Sequence, residues 1–214
     1  MEMDSMLYSC SAVVDKDVED FPLVPTNYVL SRFVPIVELG TGSEGITFKV
    51  LDIDTNKVSA MKSRILEYDS FQEIKIGCML APTRMYTHSI IMPELWGITD
   101  RLVFLDGSNP ILSNWLNNQE VQTVLEGFAD KSEIRSLIFT MPLLDATLDS
   151  IYSELTHIEK LSIFFELVIA LISLRRINII HNDLHGGNIL IKKTDECRSY
   201  TINNTSYIIT SEYM

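Results

Sequence analysis

The chain has 214 residues, 46% of them hydrophobic, which can bury a sizeable core in one large domain or two small lobes and excludes a disordered chain. Its formal charge of −12 argues against sequence-independent binding to nucleic acid or to an anionic membrane, because both need a positive field that displaces counterions. Cys10, Cys78 and Cys197 share no CxxC-like spacing, so neither a disulfide framework nor a zinc site is expected, and a reducing compartment, cytoplasm or nucleus, is the expected setting.

Residues 1–20 hold six acidic side chains against the single Lys16 and show no sustained alternation, so residues 1–30 are expected to form a mobile acidic lead. Met1 to Ser11 lack the basic and apolar regions of a signal peptide. The most apolar run, Leu161 to Leu174, is shorter than the ~20 residues of a membrane span and contains Glu166. No membrane partner is expected.

Phe33 to Leu39 reads as an extended segment entering a glycine-rich turn. Leu39-Gly40-Thr41-Gly42-Ser43-Glu44-Gly45-Ile46-Thr47 contains G-x-G-x-x-G, and glycines at these positions let a hairpin lie close over phosphates with its N–H groups facing the charge. Dinucleotide-binding folds use the same pattern but place a helix directly after it, whereas Ile46 to Ile53 alternates as a strand does. After the turn residues Asp54 to Lys57, Val58-Ser59-Ala60-Met61-Lys62 is an apolar strand ending in a lysine. On its own, Lys62 is a solvated strand end. Ser70 to Leu80 has apolar residues on one helical face, and Glu73 on it is either an ordinary surface glutamate or a partner for Lys62.

Glu94 to Ile98 reads as a strand. Residues 100–135 form a mixed insertion, with a turn at Asp106 to Pro110 and a helix within Asn114 to Gly127. Ser136 to Pro142 is an apolar strand. Thr156 to Arg176 is the strongest helix, with a capping box from Thr156 and Glu159 and two arginines at its C-terminal end; apolar residues on most of its circumference predict burial. It feeds into Ile180-His181-Asn182-Asp183-Leu184-His185-Gly186-Gly187-Asn188-Ile189-Leu190-Ile191. Read without context, that run resembles a kinase-type catalytic loop more than its alternatives, a solvated turn rich in Asn and Gly or a metal site using His181, His185 and Asp183.

The order of these pieces resembles the protein kinase-like superfamily. The run at Asp183 resembles the kinase catalytic loop, Val58 to Lys62 the strand that carries the phosphate-binding lysine, and His88-Ser89-Ile90-Ile91-Met92 the segment that follows the kinase amino-lobe helix. The resemblance implies an α+β, kinase-like two-lobe fold with an antiparallel amino-lobe sheet (31–142) and an incomplete, mainly helical carboxy lobe (143–214). It implies ATP and Mg2+ as cofactors: Leu39 to Thr47 and Lys62 hold the nucleotide, Glu73 orients Lys62, Asp183 takes the proton of the attacking hydroxyl, and Asn188 binds Mg2+. Backbone groups near Thr140 to Pro142 would contact adenine and Phe139 would line the back of the pocket, although a plain core strand fits the same residues. The implied partner is a protein with Ser or Thr hydroxyls, and a further protein partner would cover the incomplete carboxy lobe.

The Asp-Leu-His loop is similar to those of haspin-like kinases and the divergent kinases of large DNA viruses. Similar loops in aminoglycoside and choline phosphotransferases keep a small-molecule substrate open. Asn182 stands in place of the usual arginine, Thr47 in place of a valine, and Glu44 in place of an aromatic. Tyr200 to Thr210 looks like the hairpin that such kinases insert before a metal-binding Asp-Phe-Gly, which does not follow here; Glu212 is the acidic substitute. A pseudokinase that binds nucleotide or protein without phosphoryl transfer is therefore the competing expectation.

Overall fold

A computed structural model describes residues 6–13, 16–42, 45–80, 90–103, 119–126, 134–202 and 204–213. It is a mixed α/β protein that divides into two compact units, Met1–Cys78 with Met92–Leu143, and Met79–Ile91 with Leu144–Met214. Among the described residues no helix is long and apolar enough to cross a membrane.

The first unit is built on a five-stranded antiparallel sheet of order β1-β2-β3-β5-β4, formed by β1 (Phe33–Gly42), β2 (Gly45–Asp52), β3 (Lys57–Ile65), β4 (Trp96–Ile98) and β5 (Ser136–Pro142). Strict alternation sorts its side chains onto two faces. Ile46, Phe48, Val50, Met61, Ile65 and Ile138 face one core, shared with Val29 of α1 (Thr26–Arg32) and with Leu102, Val103 and Ile134 at the borders of the insertion. Trp96, Ile98, Leu137 and Phe139 face the other, under Phe71 and Ile74 of α2 (Tyr68–Met79). Of the insertion, α3 (Gln119–Glu126) falls within the expected helix, while the turn at Asp106 to Pro110 lies outside the described residues, as do His88 and Ser89.

The acidic lead is not a free tail. Tyr8 exchanges two backbone hydrogen bonds with Trp96 (2.8 and 2.9 Å) and the Val24 amide donates to the Ile98 carbonyl (2.7 Å), so the segment covers the outer edge of β4. Tyr8, tilted, and Phe21, edge-on, pack against Trp96 with ring centroids 5.1 and 4.7 Å away. Acidic composition hid these aromatic anchors. The expectation of no disulfide is also corrected: Cys10 and Cys78 are bonded, their Cα atoms 5.0 Å apart across 68 residues of sequence. Docking of the lead brings the two together, which no local spacing could announce.

The second unit holds α4 (Leu148–Ile151), α5 (His157–Arg176) and two two-stranded sheets, β6 (Ala146–Thr147) with β7 (Leu190–Ile191), and β8 (Arg198–Ile202) with β9 (Thr205–Ile209). The capping box of α5 is present, with the Thr156 amide donating to Glu159 Oε2 (2.7 Å) and the Glu159 amide to Thr156 Oγ1 (3.3 Å). Expected burial around most of this helix gives way to one buried stripe. Ile163, Glu166, Ile169, Ala170, Ser173 and Leu174 follow the helical period inward, while Ile158, Leu161 and Phe164 are 74%, 55% and 63% exposed. Glu166, an unexpected acid inside an apolar helix, is matched by Arg198, whose guanidinium also donates to the carbonyls of Glu196 (3.1 Å) and Tyr213 (2.9 Å). One arginine thus fastens the β8–β9 hairpin and the segment after it to α5.

Candidate functional site

In the first unit the site is assembled by strand register. Thr47 pairs with Lys62, and Lys62 with Phe139, so the three lie in a row across β2, β3 and β5 and share a face of the sheet. Lys62 Nζ stands 5.8 Å from the Phe139 ring centroid and 2.8 Å from Glu73 Oε1, which α2 brings over the same face. Alternation places Arg64 beside Lys62, and its Nη1 is 2.6 Å from Glu73 Oε2. Each carboxylate oxygen therefore has its own cation. Burial raises the pKa of Glu73, but the charge and hydrogen bond of Lys62, with those of Arg64, outweigh it and hold the carboxyl below its usual range. The expected partnership of Lys62 and Glu73 is thus present as geometry. Sequence reasoning missed Arg64, although its position two residues beyond Lys62 on a strand was the available signal.

The glycine turn follows the β1–β2 hairpin, with Gly42 opposite Gly45 and Gly40 opposite Thr47. Gly45 has φ +138°, and a Cβ there would collide with the Ser63 carbonyl oxygen and come within 2.8 Å of Arg64 Cβ; only glycine lets β2 approach β3 so closely. Gly40 differs, since a Cβ would meet nothing within 4 Å. Leu39 and Thr41 are exposed, and Thr47 is half-buried. Ile46 is in the core, so only its backbone could face a ligand. Ser43 and Glu44, at the tip, lie outside the described residues. Gly40 leaves open space beside the hairpin, and Lys62 and Arg64 bring positive charge to the neighbouring strand, an arrangement that suits a polyanion.

In the second unit α5 stops at Arg176, where the Asn178 amide turns back to the Arg175 carbonyl and Asn178 takes a left-handed φ of 60°. The loop that follows ends in a 3-10 turn at Gly186–Asn188. Asn188 Nδ2 donates both to the Asp183 carbonyl oxygen (2.9 Å) and to Asp183 Oδ2 (2.8 Å), which folds the five-residue interval into a closed loop. With its NH2 so used, the amide oxygen of Asn188 is left as the acceptor for a cation. His185 Nδ1 accepts from the Gly187 amide (3.1 Å), so the neutral ring carries its proton on Nε2, 3.8 Å from Asp183 Oδ2. Asp183 itself is 82% exposed on its side chain. At Gly186 a Cβ would meet the end of the Asp149 side chain of α4, which is exposed and can swing aside.

Glu212, the acidic substitute, has its carboxylate 3.7 Å from Lys193 Nζ, and its carbonyl accepts from the Thr194 amide (2.7 Å). Among the described residues no three His, Cys, Asp or Glu side chains converge as a metal-binding group. The amide oxygen of Asn188 is a hard ligand of the kind Mg2+ takes alongside phosphate and water. No protein-family model matches this sequence, and no curated protein matches it.

Proposed function

We propose that the chain is a kinase-like phosphotransferase that moves the γ-phosphoryl group of ATP to Ser or Thr hydroxyls of a protein. The observation that carries this reading is the Lys62–Glu73 ion pair at 2.8 Å, set between Thr47 and Phe139 on the strand next to a glycine hairpin. A fixed carboxylate keeps Lys62 from folding back or ranging freely, so its ammonium is positioned for phosphate oxygens. In the second unit Asp183 accepts the proton of the attacking hydroxyl. Its orientation is set by the Asn188 amide, whose remaining oxygen would hold Mg2+. The metal, when bound, neutralises charge on the transferring phosphate. Protein kinase-like membership and the two-lobe arrangement belong to the same proposal.

A second reading is favoured by Glu212, whose carboxylate is directed at Lys193. On that reading the chain binds nucleotide or protein without transfer.

The test uses purified full-length chain. With Mg-ATP at a hundredfold excess over Kd, binding stabilises by about 2.7 kcal/mol, which for a protein of this size raises Tm by roughly 5–10 °C. Lys62→Met should abolish the rise and keep the apo Tm, whereas Asp183→Asn should keep the rise and abolish transfer to a Ser/Thr substrate. An undiminished rise in Lys62→Met sinks the nucleotide assignment. A rise that needs Lys62 with no transfer from wild type to protein or to small-molecule alcohols supports the binding module.

A further inference from the structure

We propose that the Cys10–Cys78 disulfide is a reversible thiol switch that sets how firmly helix α2 holds the Glu73 carboxylate against Lys62. Its consequence for nucleotide rests on the reading above; its consequence for α2 does not. Cys78 lies in the last turn of α2, and Cys10 opens a 3-10 turn in the N-terminal segment. The segment is independently anchored to the sheet through Tyr8 with Trp96 and Val24 with Ile98, so the sulfur bridge ties the end of the helix to a fixed edge.

Apart from the bridge, Val13, Val18 and Phe21 of the segment share one apolar cluster with Phe71, Ile74 and Cys78, so the disulfide matters most for the turn after Ile74. The Lys75–Asp17 pair, at 3.0 Å, has Asp17 83% exposed, and such surface pairs contribute little. Ile76 and Met79, flanking Cys78, are 46% and 56% exposed and add little packing. Phe71 and Ile74 bury the first half of the helix against Trp96 and its neighbours, so reduction should loosen the second half without unfolding the first. Glu73 lies between Phe71 and Ile74, in the held half, but its carbonyl is the helical acceptor for the turn that loosens. Fraying of that turn reaches the placement of its carboxylate long before it costs the fold.

Both cysteines are half-buried, within reach of a small thiol. In the reduction, the thiolate of a low-molecular-weight dithiol attacks one sulfur, and the S–S bond breaks with its electron pair leaving on the other. The second thiol of the reagent then displaces the mixed disulfide, and two protons end on Cys10 and Cys78 while the dithiol becomes a cyclic disulfide. A low-molecular-weight disulfide runs the sequence backwards.

The experiment compares full-length wild type treated with oxidised glutathione and with dithiothreitol, its thiols counted by alkylation and intact mass. Hydrogen exchange is read across residues 68–79, and Mg-ATP affinity in both states. Reduction should speed exchange at residues 75–79 at least tenfold and weaken Mg-ATP binding several-fold, and Cys78→Ser should show the reduced values under both treatments. Exchange unchanged within twofold, or both thiols alkylated after oxidation, overturns the switch. Exchange that responds while Mg-ATP binds equally in both states overturns the link to Glu73. Exchange that responds with no Mg-ATP binding in either state leaves the switch standing and removes the nucleotide reading.

Discussion

The buried pair of Glu166 and Arg198 offers the sharpest test of how the second unit is held together. Their side chains are 3% and 4% exposed, and Arg198 Nε meets Glu166 Oε1 at 2.5 Å. Taking two charges out of water is costly, and the pair repays that cost only while both members are present. Arg198→Met leaves the Glu166 carboxylate in the apolar stripe of α5 without its guanidinium, which should cost about 3–5 kcal/mol, or roughly two to four decades in the folded-to-unfolded ratio. Glu166→Leu together with Arg198→Met removes both charges. The Glu196 and Tyr213 carbonyls then lose a donor, but both belong to residues water can reach in part, so most of the loss should be recovered.

Urea unfolding followed by circular dichroism at 222 nm is the assay, because α5, at 20 residues, is the longest helix among the described residues and reports this unit. With a slope of about 1–3 kcal/mol/M, the single variant should lower the midpoint by about 1–3 M and the double variant by much less. If the single variant costs under about 1 kcal/mol, or the double is no better than the single, the pair behaves like a surface ion pair. The hairpin would then not be fastened to α5 as described.

The first unit yields two further tests. Asp52, nearly buried against Arg32 (Nη2 to Oδ2 2.8 Å), is pushed up by burial but held below its usual range by the Arg32 hydrogen bonds and charge. A carboxyl whose folded pKa is depressed adds stability that is present above its unfolded pKa and lost as pH falls through the folded one, so wild type should lose stability below about pH 4 more steeply than Asp52→Asn; equal slopes in an acid titration of Tm would refute the assignment. Gly45→Ala should destabilise by about 1–3 kcal/mol through its left-handed φ and the Ser63 carbonyl, whereas Gly40→Ala should change stability by less than about 0.5 kcal/mol, and a reversed order in denaturant midpoints would mean that β2 and β3 do not approach as closely as stated.

Local pattern carried the first unit's strands and the cap of α5, since period-two alternation and the Thr156–Glu159 spacing are set within a few residues. It failed where contacts join distant segments. Tyr8 and Phe21 lie in a stretch that reads only as acidic, and only Trp96, far along the chain, gives them a place. Cys10 and Cys78 are joined by the same docking. Glu166 read only as an argument against a membrane span, because its partner Arg198 is 32 residues away. Burial of α5 was overestimated because an apolar circumference says which residues could be buried and not how much neighbouring surface exists to bury them.

The Lys62 cluster differs from a plain ion pair beneath a helix in having a second cation. A pair present only to join α2 to the sheet needs one cation for one carboxylate. Here Lys62 and Arg64 each take one oxygen of Glu73, and the three side chains are 21%, 12% and 34% exposed. Like charges so close together in a sheltered setting are unfavourable unless an anion joins them, and Glu73 does so. On the proposed reading, Lys62 stays beside Glu73 while its ammonium meets phosphate. Arg64 would hold the second oxygen of Glu73 and so fix the carboxylate that orients Lys62, which a lone lysine–glutamate pair would do less firmly.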